Sequence, residues 1–227
     1  MATPACVARD IDRFATYWQL RKFQFIDAVG DEFTRIVQPA ASLGEGSSNE
    51  ELFLVSLAMT EWFLFERPHE GGKTPLDLYV ERRPAGVSAA ALRRLRQVAR
   101  TQFFSRFSIV SKCPRTCMAV LEDTREAVRY DVYDEHLCRV DRWRDGVIAE
   151  RIGYVDGLWQ LVGRLHLYDR APASATAGGA PGDVHPEDAD LAPYWERAGF
   201  YLRLLRDCLG VDGRYRATAR FLAADLA

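Results

Sequence analysis

The 227-residue chain has little that would tie it to a membrane or to export. Its first twenty residues, MATPACVARDIDRFATYWQL, lack a basic start followed by an apolar core, so no secretory signal is expected. The longest apolar stretch, 52–65, is broken by Ser56, Thr60 and Glu61. It falls short of the roughly 20 apolar residues that span a bilayer and is expected to be a buried helix. No sign of charge dominates: 30 basic residues against 32 acidic ones leave a formal net charge of −2. That balance removes any global argument for nucleic acid or an acidic membrane. Cysteines number five, which is odd. Without an export signal, disulfides are not expected, and the thiols are expected to be reduced in the cytoplasm.

Recognised catalytic phrases are missing as well. GGKT at 71–74 resembles the end of a phosphate loop, but Arg67 stands where the pattern needs glycine, and a helix precedes it rather than a strand. Asp134-Glu135-His136 is the one dense polar triplet. On an extended segment adjacent side chains face opposite ways, so the three are not expected to converge. His166 reads as a lone outward histidine on a strand, and His185 falls in a linker.

What is present is a division into helices and strands. Ile11, Phe14, Trp18, Phe25, Val29, Phe33 and Ile36 recur at helical spacing, predicting one long helix over 8–37 that Pro39 and Gly44 end. Ser48 and Glu51 form a capping-box pattern ahead of a helix that is apolar nearly all round and so central. Thr74-Pro75 starts a short helix, and Ser88 caps another that carries Leu92, Leu95, Ala99 and Phe103 on its apolar side. After Phe104 the period falls to two. Strands are predicted at 106–112, 117–122, 126–133, 147–155 and 158–168, with tight turns at 123–125, 144–146 and Asp156-Gly157. Five short strands suggest a small closed or half-closed barrel, because closure removes unpaired edges. Residues 171–189, rich in Ala, Gly and Pro, read as a flexible linker. Two C-terminal helices follow, the first ending near Gly210. Trp195, Phe200, Tyr201, Leu204, Leu205 and Leu209 give them an apolar surface that is expected to dock on the helical part.

The segments EWFLFERPHEGGKTPLDLYV (61–80), RTQFFSRFSIV (100–110), RDGVIAERI (144–152) and DGLWQLVGRLHLYD (156–169) carry a resemblance to a family of uncharacterised bacterial proteins. It covers roughly half the chain. Members of that family look similar in having a helical lead-in followed by a small β module, and some end in a SEC-C metal motif. That cysteine cluster is absent here, where only Cys208 lies in the corresponding region, so its zinc site does not carry over. The resemblance implies an architecture and no activity.

Two constellations bear on chemistry. Cys113 and Cys117 flank a turn between two strands, and His136 and Cys138 lie two apart downstream. Together they would make a Cys₃His set of the kind that holds structural zinc as two pairs of ligands. The spacing departs from the usual two-residue knuckle: three residues, one of them Pro114, separate the first pair, and one separates the second. The plainer readings are buried thiols, or a Cys113–Cys117 disulfide. The second constellation is a run of seven arginines, at 82, 83, 93, 94, 96, 100 and 106, with no acid between Arg82 and Arg106. Barrels of the OB kind bind nucleic acid with a basic groove and stacking aromatics. Phe103, Phe104, Phe107 and Tyr130 are the nearby aromatics, and the plainer reading is a solvated face paired with acids elsewhere.

The resulting expectation is an α+β protein: a helical domain over 1–104, a five-stranded antiparallel barrel-like module over 105–170, a linker over 171–189, and helices over 190–227 packing on the helical domain. It is read as a non-enzymatic binding or adaptor protein. Arg93, Arg96, Arg100 and Arg106 would serve a protein or nucleic-acid partner, with no membrane partner. No cofactor is required by this reading. The alternatives are a zinc protein using Cys113, Cys117, His136 and Cys138, and an enzyme with convergent titratable groups in a deep pocket.

Overall fold

The computed structural model describes residues 3–44, 47–170, 179–211, 213 and 220–223. Helices α1 (Pro4–Gln19), α2 (Ile26–Val37), α3 (Ala40–Leu43), α4 (Asn49–Phe65), α5 (Pro75–Arg82) and α6 (Ala89–Thr101) come first. Strands β1 (Phe103–Cys113), β2 (Met118–Asp123) and β3 (Arg129–Tyr133) follow. A short helix α7 (Glu135–Arg139) leads into β4 (Val147–Val155), β5 (Leu158–Leu161) and β6 (Leu165–Asp169). Helix α8 (Ala192–Leu209) and strand β7 (Arg220–Ala223) complete an α+β fold.

The helix starts are set by side chains in the sequence. The Glu51 N–H donates to Ser48 Oγ at 3.2 Å while the Ser48 N–H donates to Glu51 Oε2 at 2.9 Å, closing a capping box on α4. Thr74 and Asp77 do the same for α5, with Pro75 in its first turn, and Ser88 caps α6. Helix α4 buries Leu54, Val55, Ala58 and Glu61 to Phe65, and so lies at the centre of the bundle.

The single helix expected over 8–37 is two. A 3₁₀ turn at Lys22–Gln24 separates α1 from α2. The bend lets Trp18 and Phe25 enter the same aromatic cluster, with rings 6.0 Å apart and Phe25 stacked on Phe63 at 4.2 Å. Burying two large rings in one cluster outweighs the few helical hydrogen bonds lost at the bend.

The five strands β1 to β5 close into a barrel in the order β1-β2-β3-β5-β4, with β4 returning to β1. The expected module was wholly antiparallel. The barrel is mixed, because β3 and β5 pair in parallel through Val132↔Trp159 and Tyr133↔Gln160. Strand β1 serves two neighbours, β4 along Phe103–Ser108 and β2 along Phe107–Cys113, and an irregularity between Ile109 and Ser111 bends it between them. The barrel is filled by Phe107, Ile109, Leu121, Val132, Leu137, Trp143, Ile148 and Ile152.

The strand expected over 158–168 is broken. The Val162 and Gly163 N–H groups both donate to the Arg151 carbonyl, at 2.9 and 3.2 Å, which ends β5 and starts β6 on the same edge of β4. Gly163 is required there by space. An added Cβ would sit 2.8 Å from Arg151 Cβ and 2.8 Å from both carboxylate oxygens of Glu61. Gly163→Ala is therefore expected to cost about 1–3 kcal/mol by overpacking, read as a lower urea midpoint at unchanged m-value.

Leu165 and Leu167 of β6 and Phe104, Ala149 and Val155 of the barrel wall join the helices in one core. Trp195, Tyr201, Leu202, Leu204 and Leu205 of α8 pack into the same core, kinked at Gly199. The expected linker over 171–189 is anchored from residue 179 on. His185 is buried with its Nε2 2.9 Å from Asp207 Oδ2, and the Gly182 N–H donates to the same oxygen at 2.8 Å. Residues 171–178 lie outside the described part. The expected last helix, 214–227, is contradicted at 220–223, where β7 pairs antiparallel with β6; its other residues lie outside the described part.

Candidate functional sites

Two regions gather chemistry: a buried polar centre inside the barrel, and an aromatic rim beside α6.

The buried centre follows from strand parity. Ile148 and Ile152 of β4 point into the barrel, and Glu150, between them, shares their face. His166 and Tyr168 of β6 take the barrel side, while Leu165 and Leu167 face the helices. Asp134 enters as the cap of α7, accepting the Leu137 N–H at 2.9 Å on Oδ1. The other end of α7 is held by Lys112, whose Nζ donates to the carbonyls of Leu137 at 2.8 Å and Val140 at 2.6 Å. Asp134 Oδ2 is thereby turned to His166.

Asp134, Glu150 and His166 are each at most 1% exposed. One ligand atom from each lies within 4.8 Å of the others. His166 Nε2 stands 3.4 Å from Asp134 Oδ2 and 3.6 Å from Glu150 Oε2. Among the described residues neither Glu150 oxygen has a hydrogen-bond partner, and neither does His166 Nδ1. Burial, and then the Asp134 charge, push the Glu150 carboxyl well above its ordinary range. Burial works the same way on Asp134, but the His166 hydrogen bond and charge outweigh it and hold that carboxyl below its usual value.

The rings of His136 and His166 are 5.0 Å apart, and Trp143 packs against both. Asp134 and His136 also line a cleft of about 970 Å³ between the start of α1 and α7, together with Tyr133, Arg139, Arg142 and Gln160. The triplet 134–136 was expected not to converge. Its backbone turns into a helix at 135, so Asp134 and His136 both approach His166. His166, expected to be an outward histidine, is wholly buried.

The expected cysteine set is not brought together. Among the described residues the only cluster of three or more metal-ligating side chains at ligand spacing is Asp134, Glu150 and His166, so Cys113, Cys117, His136 and Cys138 do not form one. All five cysteines are free thiols, which also removes the Cys113–Cys117 disulfide. Cys113 and Cys117 are half-buried at a turn, while Cys138 is fully buried and its thiol is pushed up to about 11 by desolvation. A thiol in that state is a core side chain and a poor metal ligand.

The second region lies at the barrel rim. Phe103, Tyr130, Trp159 and Tyr154 form a connected set of rings, with centroids 5.6 Å apart for Phe103–Tyr130, 5.0 Å for Tyr130–Trp159 and 5.3 Å for Tyr154–Trp159. Phe103, Tyr130 and Trp159 are half-buried, and Tyr154 is exposed. Helix α6 is fastened beside them. Gln97 Nε2 donates to Asp156 Oδ1 at 3.0 Å, and the Tyr154 N–H donates to Thr101 Oγ1 at 2.9 Å.

Arg93, Arg96 and Arg100 share the outer side of α6, within about 60° of one another at 3.6 residues per turn. Arg93 reaches Asp156 at 3.6 Å; Arg96 and Arg100 have no ion-pair partner among the described residues. Glu61 and Glu66, the acids best placed in sequence to neutralise this run, are engaged with Arg151 instead. Arg94 pairs with Asp10 at 2.6 Å. Arg106 was expected in the basic surface and is corrected: it is 8% exposed on β1, so it belongs to the packed wall.

No helix of the described residues is long and apolar enough to cross a membrane. No protein family, curated protein or solved structure matches the chain.

Proposed function

We propose that the protein binds single-stranded nucleic acid at the barrel rim, with bases stacking on Trp159 and Tyr130 and phosphates meeting Arg93, Arg96 and Arg100. The observation that carries this reading is the side-by-side placement of a half-buried ring cluster and an arginine face that acids within the protein leave largely unpaired. Stacking platforms beside a cationic track are what sequence-tolerant single-strand binding needs. The barrel connectivity adds support by analogy. Five strands with a shared first strand, a helix between the third and fourth, and aromatic residues at one rim make the kind of Greek-key barrel that often binds oligonucleotides.

The near-neutral net charge limits the affinity. A track of about three arginines releases about three counterions. Fluorescence anisotropy with a labelled 15-nucleotide DNA tests this. Binding is expected to weaken with salt at a log–log slope of about −2, given about −0.7 per phosphate on single strands and about three phosphates met. The Arg93→Gln/Arg96→Gln/Arg100→Gln variant is expected to flatten that slope to near zero. Absence of saturable binding at low salt rejects the reading and leaves a protein partner for the same surface.

A further inference from the structure

We infer that Asp134, Glu150 and His166 form the binding site of one divalent first-row metal ion, zinc by the balance of its donors, set behind the wall of the cleft. The spacing carries this. A direct charge-assisted hydrogen bond runs about 2.7–2.9 Å, whereas His166 Nε2 stands 3.4 and 3.6 Å from the two carboxylates. Ligand atoms on a tetrahedron with bonds of about 2.0–2.1 Å lie about 3.3 Å apart. His166 Nε2 thus reaches Asp134 Oδ2 only at the long end of hydrogen-bond range and stands at ligand separation from both carboxylates.

Glu150 supplies an independent observation. It is fully buried, and among the described residues neither of its oxygens accepts a hydrogen bond, although it points into the cluster. A buried carboxyl in that condition is held in its neutral form unless a cation meets it, and the open oxygens facing Asp134 and His166 leave a place for one. As metal ligands, two carboxylates and one imidazole would bring two negative charges, which one dication cancels. The donor set of two oxygens and one nitrogen fits zinc, with manganese next among the harder ions. The ligands come from three elements that are fixed separately: the capped start of α7, and strands β4 and β6. His136 lines the cleft with its ring 5.0 Å from that of His166, between the cluster and solvent-accessible space.

This goes beyond the nucleic-acid reading, and its readout is separate from oligonucleotide binding. The test is equilibrium dialysis of chelator-treated protein against Zn²⁺, with Co²⁺ as a visible-absorption probe and thermal unfolding alongside. The expected result is one ion per chain, a raised midpoint, and cobalt bands of a nitrogen–oxygen site without thiolate charge transfer. Glu150→Gln keeps the side-chain shape and the neutral state that burial favours for the metal-free side chain, so it is expected to fold. Losing a ligand costs at least what losing an outer-shell partner does, about 10–100-fold in affinity. The Cys113→Ser/Cys117→Ser variant is expected to bind like the parent. The inference is overturned if the folded protein binds no ion, if Glu150→Gln binds as tightly as the parent, or if the cysteine variant is the one that loses it.

Discussion

Arg151→Met is expected to cost about 3–5 kcal/mol of stability, the loss typical of removing one partner from a buried ion pair. Arg151 lies on the helix-facing side of β4 and is 1% exposed. Its Nε donates to Glu61 Oε1 at 3.0 Å, its Nη2 to Glu66 Oε1 at 2.6 Å, and its Nη1 to Gln102. The rings of Phe65, Phe104 and Tyr201 surround the guanidinium, at 5.1, 5.6 and 5.3 Å from its centre. Burial opposes the charge, and the Glu66 and Glu61 carboxylates overcome that, keeping the arginine ionised. Glu61 in turn accepts the N–H groups of Arg164 at 2.8 Å and Leu165 at 3.0 Å with its other oxygen. One ion pair therefore joins α4, β4 and the break between β5 and β6.

Methionine strands the buried Glu61 carboxylate against an apolar wall and leaves the half-buried Glu66 without its guanidinium. Urea unfolding reads the loss as a lower midpoint. Glu61→Gln in the Arg151→Met background is expected to recover part of it, because the stranded charge is removed. The two changes should then be strongly non-additive. A cost below about 1 kcal/mol for Arg151→Met would mean that packing alone joins the helices to the barrel.

The second large effect concerns the rim. Trp159→Leu and Tyr130→Leu are each expected to weaken oligonucleotide binding about 5-fold to 150-fold, since one base stacked on an aromatic ring is worth about 1–3 kcal/mol. Leucine keeps apolar bulk against the barrel core while removing the flat face. Both variants should therefore fold, which near-ultraviolet circular dichroism and the urea midpoint check. Unlike the arginine variant, they are expected to keep the salt slope while lowering affinity, because the phosphate contacts remain. An unchanged affinity in both would place the bases elsewhere.

Local signals were readable in the sequence wherever the cause was local. Ser48 with Glu51, Thr74 with Pro75, and Ser88 each mark a helix start because capping acts within three residues. Strand β4 was legible end to end, since both of its faces are buried. The break between β5 and β6 was not legible, because it is held by the Arg151 carbonyl across the strand pair and by Glu61, about a hundred residues away. The buried centre was missed for the same reason: Asp134, Glu150 and His166 meet only through strand pairing. One signal was available. Alternation along VIAERIGYV puts Glu150 on the face of Ile148 and Ile152, and a lone acid on a core-facing row asks for a partner. Glu61, in a helix apolar nearly all round, asked the same question. The cysteine spacing pointed elsewhere because proximity in sequence did not become proximity in space.

Photo-cross-linking of the full chain to a 15-nucleotide single strand, mapped by peptide mass spectrometry, tests the rim assignment most directly. The account predicts adducts on the peptides holding Tyr130 and Trp159, suppressed by salt and by the Arg93/Arg96/Arg100 glutamine variant. Adducts confined to other surfaces, or none under conditions of saturable binding at the rim arginines, would contradict it.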